Sequence, residues 1–158
     1  EDGDFVAEPD VLRALADAEV DYVVVGAVAL NFHGLARATA DLDVFVAPDR
    51  ENIDRLRRAL DSVFGDPAIG EISADDLAGS YPAVQYVPPD GLFHVDILTR
   101  LGEVWSFEDI ESEEIEIEGV PVKVATPLML YRMKRDTVRL QDQADAERLK
   151  RRFKLEDQ

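Results

Sequence analysis

Asp41-Leu42-Asp43-Val44-Phe45-Val46-Ala47 decides the fold. The stretch opens by alternating acidic and apolar residues and is closed by Pro48, so it reads as a strand. Residues two apart on a strand point to the same face. Leu42 and Val44 therefore enter the core, and Asp41 and Asp43 stand side by side on the other face. Upstream, Tyr22-Val23-Val24-Val25 is a continuous apolar run stopped by Gly26, the mark of a buried strand. Ala27 to Phe32 reads as helical and ends near Gly34. Pro9 to Ala18 gathers Val11, Leu12, Leu15 and Ala16 on one face of an amphipathic helix. Downstream, Arg50 to Phe64 turns Ile53, Leu56, Leu60 and Val63 inward behind an Asp49 cap.

The second half is less regular. Residues 65–82 hold Gly65, Pro67, Gly70, Gly79 and Pro82 and read mostly as loop, with one short helix near Asp75. Ala83 to Val87 and Leu92 to Thr99 form a strand pair about the turn signal Pro88-Pro89-Asp90-Gly91. Leu101 to Glu118 carries eight acidic residues and no basic one, and reads as an exposed segment with a short strand at Ile115–Ile117. Gly119-Val120-Pro121 is expected to turn the chain into a strand at Val122-Lys123-Val124. Thr126-Pro127 opens a helix with a cap residue and a proline in the first turn. Leu128–Val138 and Asp142–Phe153 are helical stretches. The order predicts an α/β (α+β) fold, a central mixed sheet flanked by helices. It is expected to be one domain over 1–158, with a helical C-terminal segment from about 127.

Composition narrows the chemistry. The chain has 158 residues, 46% of them hydrophobic, enough for a real core. With 0 cysteines it has no disulfide, thiolate-zinc, iron–sulfur or thiol-nucleophile chemistry. The only histidines are His33 and His94, which rules out a histidine-rich metal centre. No apolar run approaches the roughly 20 residues that span a bilayer, and the expected compartment is the cytoplasm. The net charge of -17 repels nucleic-acid backbones at long range, yet divalent metal can still bridge carboxylates to phosphates. Residues 1–130 carry a net charge of -20 and residues 131–158 a net +3, a basic element on an acidic body.

Three features carry chemistry. Asp41 and Asp43 are paired carboxylates on a rigid strand, and oxygen ligands of this kind suit Mg²⁺ or Mn²⁺. Asp96 lies inside Phe93-His94-Val95-Asp96-Ile97-Leu98, where a charge is costly unless it is paired or coordinated. If the two strands are neighbours, three carboxylates converge, as metal-dependent phosphoryl or nucleotidyl transfer requires. The turn at Gly26-Ala27 hands a strand to a helix and offers backbone N–H groups to a phosphate. His94 shares the face of Asp96, and Trp105 and Phe107 read as anchors of the acidic segment. His33 beside Gly34 reads as a cation at a helix C-terminus. Asp142 and Asp145, three apart, read as solvent-facing.

The run Val25-Gly26-Ala27-Val28-Ala29-Leu30, His33-Gly34 and Arg37-Ala38-Thr39-Ala40-Asp41-Leu42-Asp43-Val44 resembles the nucleotidyltransferase superfamily of the DNA polymerase β type. Within it the likeness is to the minimal nucleotidyltransferases, including the AbiEii-like toxin group. It covers about residues 20–63 well, Asp96 by position, and the C-terminal helices loosely through Met133-Lys134 and Arg139-x-x-Asp142-x-x-Asp145. The resemblance implies transfer of a nucleoside monophosphate from an NTP to an acceptor hydroxyl on RNA, protein or a small molecule. It implies Mg²⁺ or Mn²⁺ at Asp41, Asp43 and Asp96, with Asp96 activating the acceptor. It places Gly26, Ala27, Arg37, Thr39 and Lys134 on the triphosphate, and it suggests an antitoxin protein as partner. Ala27 departs from the pattern, which has Gly or Ser there, so a nucleotide-binding or partner-binding module with weakened catalysis is the alternative.

Overall fold

The computed structural model describes residues 8–35, 41–79, 82–89, 93–101, 105–135 and 140–155. Helix α1 (Glu8–Asp17) leads into β1 (Tyr22–Val25), α2 (Gly26–Phe32), β2 (Asp41–Val46) and α3 (Arg50–Phe64). A 3₁₀ turn (Pro67–Glu71) and α4 (Ala74–Ala78) follow, then β3 (Ala83–Tyr86) and β4 (His94–Leu98). A small hairpin, β5 (Arg100–Leu101) with β6 (Trp105–Ser106), precedes β7 (Ser112–Ile117), β8 (Val120–Ala125), α5 (Pro127–Arg135) and α6 (Leu140–Phe153). Six strands form one mixed sheet in the order β3-β4-β2-β1-β8-β7. β2 runs antiparallel to β1 and parallel to β4, so the two carboxylate-bearing strands are neighbours.

Local chemistry accounts for the element ends. α3 starts where the Asp49 carboxylate accepts the Asn52 backbone N–H at 3.0 Å, and it stops at Gly65 with a left-handed φ of 57°. Asn52 itself is fully buried, accepting from Asp21 N at 2.7 Å and donating to the carbonyls of Asp21 and Ala47 at 3.0 and 2.8 Å. It ties the entrance of β1 to the exit of β2, and sequence periodicity gave no sign of it. The core is aliphatic, with Leu42, Val44, Phe45 and Val46 of β2 buried with Ile53, Leu56 and Leu60 of α3.

Several boundaries differ from the sequence reading. The 65–82 region has more regular structure than expected, because Asp66 and Ser73 cap the 3₁₀ turn and α4 through their side chains. The expected turn at Gly119-Val120-Pro121 is a two-residue turn at Glu118 and Gly119, with φ of 52° and 82°. Both residues are left-handed, as a tight hairpin of this twist requires. Val120 and Pro121 belong to β8, opposite Ile117 and Glu116. Pro121 is tolerated because β1 meets β8 further along, at Val124. β7 begins at Ser112 rather than Ile115, and the β5–β6 hairpin was not anticipated. Asp90, Gly91 and Leu92 of the turn after β3 lie outside the described residues, as does the end of the helix expected to reach Val138. No helix among the described residues is long and apolar enough to cross a membrane.

His33, at the end of α2, is turned into the fold, with its Nε2 3.9 Å from Glu113 Oε2. Its Nε2 lies 2.8 Å from the Ala125 carbonyl, and its ring meets Phe153 edge-on at 6.0 Å. It pins the end of α2 to the end of β8 and to α6.

Candidate active site

The register of β2 and β4 builds the site. Asp43 sits directly opposite Asp96, and Asp41 directly opposite His94. Strand alternation turns all four side chains to one face, while Leu42, Val44, Val95 and Ile97 are buried on the other. A cleft of about 660 Å³ opens over this face. Gly26, Asp43, Asp96, Lys134 and Asp142 line it, with an apolar wall that includes Leu98 and Met133.

Asp43 and Asp96 are paired directly across the two strands and both line the cleft, so their carboxyl groups repel when both are ionised. Burial pushes the Asp43 carboxyl up from 3.8 to about 7, helped by the hydrogen bond and charge of Asp96 and by the charge of Asp41, and opposed by Lys134. Three converging carboxylates are expected from the sequence; the register pairs Asp43 with Asp96 and Asp41 with His94. Among the described residues no three acidic or histidine side chains gather closely enough to hold an ion. Asp41 faces His94 across the register, Nδ1 to Oδ1 at 3.0 Å. His94 therefore neighbours the pair through Asp41, a link the sequence did not disclose.

Gly26 joins β1 to α2 with a φ of 73°, a conformation that favours glycine. Its missing side chain matters more. A Cβ there would overlap Asp43 Oδ2 and come within 2.9 Å of Asp43 Cγ. Gly26→Ala is expected to push the Asp43 carboxylate out of place and to cost about 1–2 kcal/mol of stability through the left-handed backbone. The check is a thermal melt with and without Mn²⁺: a small fall in Tm together with loss of the metal response. Ala27 is half-buried at the start of α2. Arg37 and Thr39 lie outside the described residues.

Lys134 reaches the cleft from α5. Its Nζ lies 3.2 Å from Asp142 Oδ1 and 3.2 Å from Asp145 Oδ2, both on α6. The Asp145 side chain is 1% exposed and that of Asp142 11%, so neither is the solvent-facing residue expected. A signal was available: Asp142, Asp145, Ala146 and Leu149 are the buried residues of α6 and fall at the spacing of an inward helical stripe. Removing one partner of a buried charge cluster is strongly destabilising. Lys134→Ala is therefore expected to cost about 3 kcal/mol. That corresponds to a fall in Tm of roughly 6–12 °C for a chain of this size. Lys134→Ala combined with Asp145→Asn should recover part of the loss. A single variant that melts with the wild type would remove the cluster from the account.

A family model described as nucleotidyl transferase AbiEii toxin, type IV TA system, matches residues 10–134. The chain belongs to this family. No curated protein sequence matches it. Among solved structures, the chain is similar to ANT(2″)-Ia in complex with adenylyl-2″-tobramycin. That match has 15% identity, covers 92% of this chain and 87% of that one, and has a TM-score of 0.54. An antigenic nucleotidyltransferase-like protein from Paracoccidioides brasiliensis matches at 18% identity over 90% of this chain and 73% of its own, with a TM-score of 0.53. At these identities the structural likeness shows the nucleotidyltransferase fold. The AbiEii match spans β1, α2, β2 and β4 and closes at Lys134, so Asp142 and Asp145, which hold that lysine, lie beyond it.

Proposed function

We propose that this AbiEii-family nucleotidyltransferase moves a nucleoside monophosphate from an NTP to an acceptor hydroxyl and depends on Mg²⁺ or Mn²⁺. The observation that carries the reading is the pairing of Asp43 with Asp96 across neighbouring strands on the wall of the cleft. Two carboxylates this close repel when both are ionised, and a divalent cation removes the conflict. An oxygen-only donor set fits Mg²⁺ or Mn²⁺. Asp43 and Asp96 would hold the ion, and Asp41 would join them as the family pattern implies. When bound, the metal supplies charge neutralisation at the phosphate oxygens.

The chain's own residues account for the rest. A carboxylate oxygen of Asp96 accepts the proton of the acceptor hydroxyl. The acceptor oxygen bonds to the α-phosphorus, the bond from that phosphorus to the β-phosphate oxygen breaks, and pyrophosphate leaves. Gly26, lacking a side chain, keeps Asp43 in place, and backbone N–H groups at Gly26 and Ala27 meet the phosphates. Lys134 brings a cation to the cleft wall. Arg37 and Thr39 help position the triphosphate, as the family pattern implies.

The acceptor is RNA, a protein or a small molecule, and a partner antitoxin accords with the toxin–antitoxin family. The net charge of -17 favours a cationic small molecule, and the basic segment 131–158 leaves RNA open. The test is incubation with Mg²⁺, each α-labelled NTP and cell extract, asking which species becomes labelled and whether pyrophosphate is released. Ala27 favours a second reading, a module that binds nucleotide or a partner without turnover. Nucleotide binding with no pyrophosphate from any NTP would select it.

A further inference from the structure

We infer that Gln85 is a specificity-determining residue for the acceptor, binding a neutral polar group of it beside Asp96. The inference rests on the transfer reading above and deepens it by naming where the acceptor lies. The register of the sheet carries it. Gln85 of β3 pairs with Asp96 of β4, Asp96 with Asp43 of β2, and Asp43 with Val25 of β1. Directly paired residues share a face, so these four form one row across four strands. All four line the cleft, and so does Gly26, which follows Val25 in the chain. The row runs from an amide on the edge strand, through the carboxylate pair, to the glycine turn.

Transfer to a hydroxyl is an in-line displacement, with the entering and leaving oxygens on opposite sides of the phosphorus. On the reading above, pyrophosphate leaves toward the Gly26–Ala27 turn and Asp96 takes the proton of the acceptor. The acceptor therefore enters from the β3 side, where Gln85 stands next to Asp96. Neighbouring strands lie about 4.8 Å apart, so the amide is one small functional group away from the attacking oxygen. Gln85 is exposed, and its amide is available to a ligand in the cleft. Ala83 and Leu98, paired two residues along, and Leu101 of the β5–β6 hairpin make the lining there apolar. Residues 79–118 hold no lysine and one arginine, Arg100, whose guanidinium is directed at the Gly79 carbonyl at 3.5 Å. A phosphate would find little charge to pair with on this side. An amide both donates and accepts, which suits a second hydroxyl or an amide of the acceptor.

The chain has 0 cysteines, so the thiol of Gln85→Cys is unique and can be blocked selectively. Wild type, Gln85→Ala and Gln85→Cys, the last with and without a bulky maleimide, receive α-labelled NTP, Mg²⁺ and increasing amounts of cell extract. NTP affinity is read separately, from the rise in Tm with NTP concentration. Gln85→Ala is expected to need roughly three- to tenfold more extract for half-maximal labelling, the weight of one hydrogen bond. Its maximal labelling and NTP affinity should match the wild type, as for lost binding of one substrate alone. The maleimide adduct of Gln85→Cys should label nothing and still bind NTP like the wild type. Half-maximal labelling by Gln85→Ala at the wild-type extract concentration overturns the assignment. Weakened NTP binding in the adduct also overturns it, because Gln85 would then lie on the nucleotide's side of the carboxylate pair. A wild type that labels nothing and releases no pyrophosphate with any NTP removes the transfer reading itself, and this role with it.

Discussion

Asp96→Asn is expected to lower NTP-dependent transfer by about a thousandfold or more while the fold survives. The substitution keeps the size of the side chain and removes its charge. A positioned base contributes about 10²–10⁴-fold on its own. The same carboxylate would also be lost to the metal, so the combined loss lies at the upper end. A thousandfold corresponds to about 4 kcal/mol of barrier. The fold should not suffer, because Asp96 is half-buried on the open face of β4 and its charge raises Asp43. Removing that charge relieves a repulsion. The measurement is pyrophosphate release alongside Tm for both proteins. Retention of more than about a tenth of wild-type activity would remove Asp96 from the chemistry, since no general base is that dispensable.

Much of this site was readable because its residues break the rules of the elements that carry them. Asp96 interrupts an apolar strand, and Asp41 and Asp43 occupy alternate positions of another. Both strands are otherwise strongly patterned, so the carboxylates stood out. The partnership between strands was not readable in the same way. β2 and β4 are parallel neighbours separated by α3, α4 and β3, and no local pattern sets the register that aligns Asp43 with Asp96 and Asp41 with His94. The hairpin at Glu118-Gly119 misled for a different reason. Pro121 looks like a breaker, and Glu118 is an unusual residue for a left-handed position. Asp142 and Asp145 misled through composition. α6 is so polar that its buried stripe, half of it aspartate, passes for a solvated face until Lys134 is seen between the two carboxylates.

The same Asp43 carboxyl makes stability depend on pH in a definite direction. It titrates near 3.8 in the unfolded chain and at about 7 in the fold. Between those values the folded chain holds a proton that the unfolded chain has released, so unfolding grows easier as pH rises. Stability is greatest below the unfolded value and is lost as pH climbs through the folded one. The shift corresponds to about 4 kcal/mol once Asp43 is fully ionised. Asp43→Asn cannot ionise at this position and lacks this dependence. At about pH 4 the two proteins should melt close together, and at about pH 8 the variant should be the more stable. A difference of that size is worth roughly 8–16 °C in Tm for a chain of this length. Mg²⁺ or Mn²⁺ at about pH 8 should close the gap from the wild-type side only, because an ion that binds the folded state stabilises it by mass action. Wild type and Asp43→Asn melting in parallel across this range, with no response to metal, would mean that Asp43 ionises without cost. The carboxylate pair would then be a feature of the sheet and not a site.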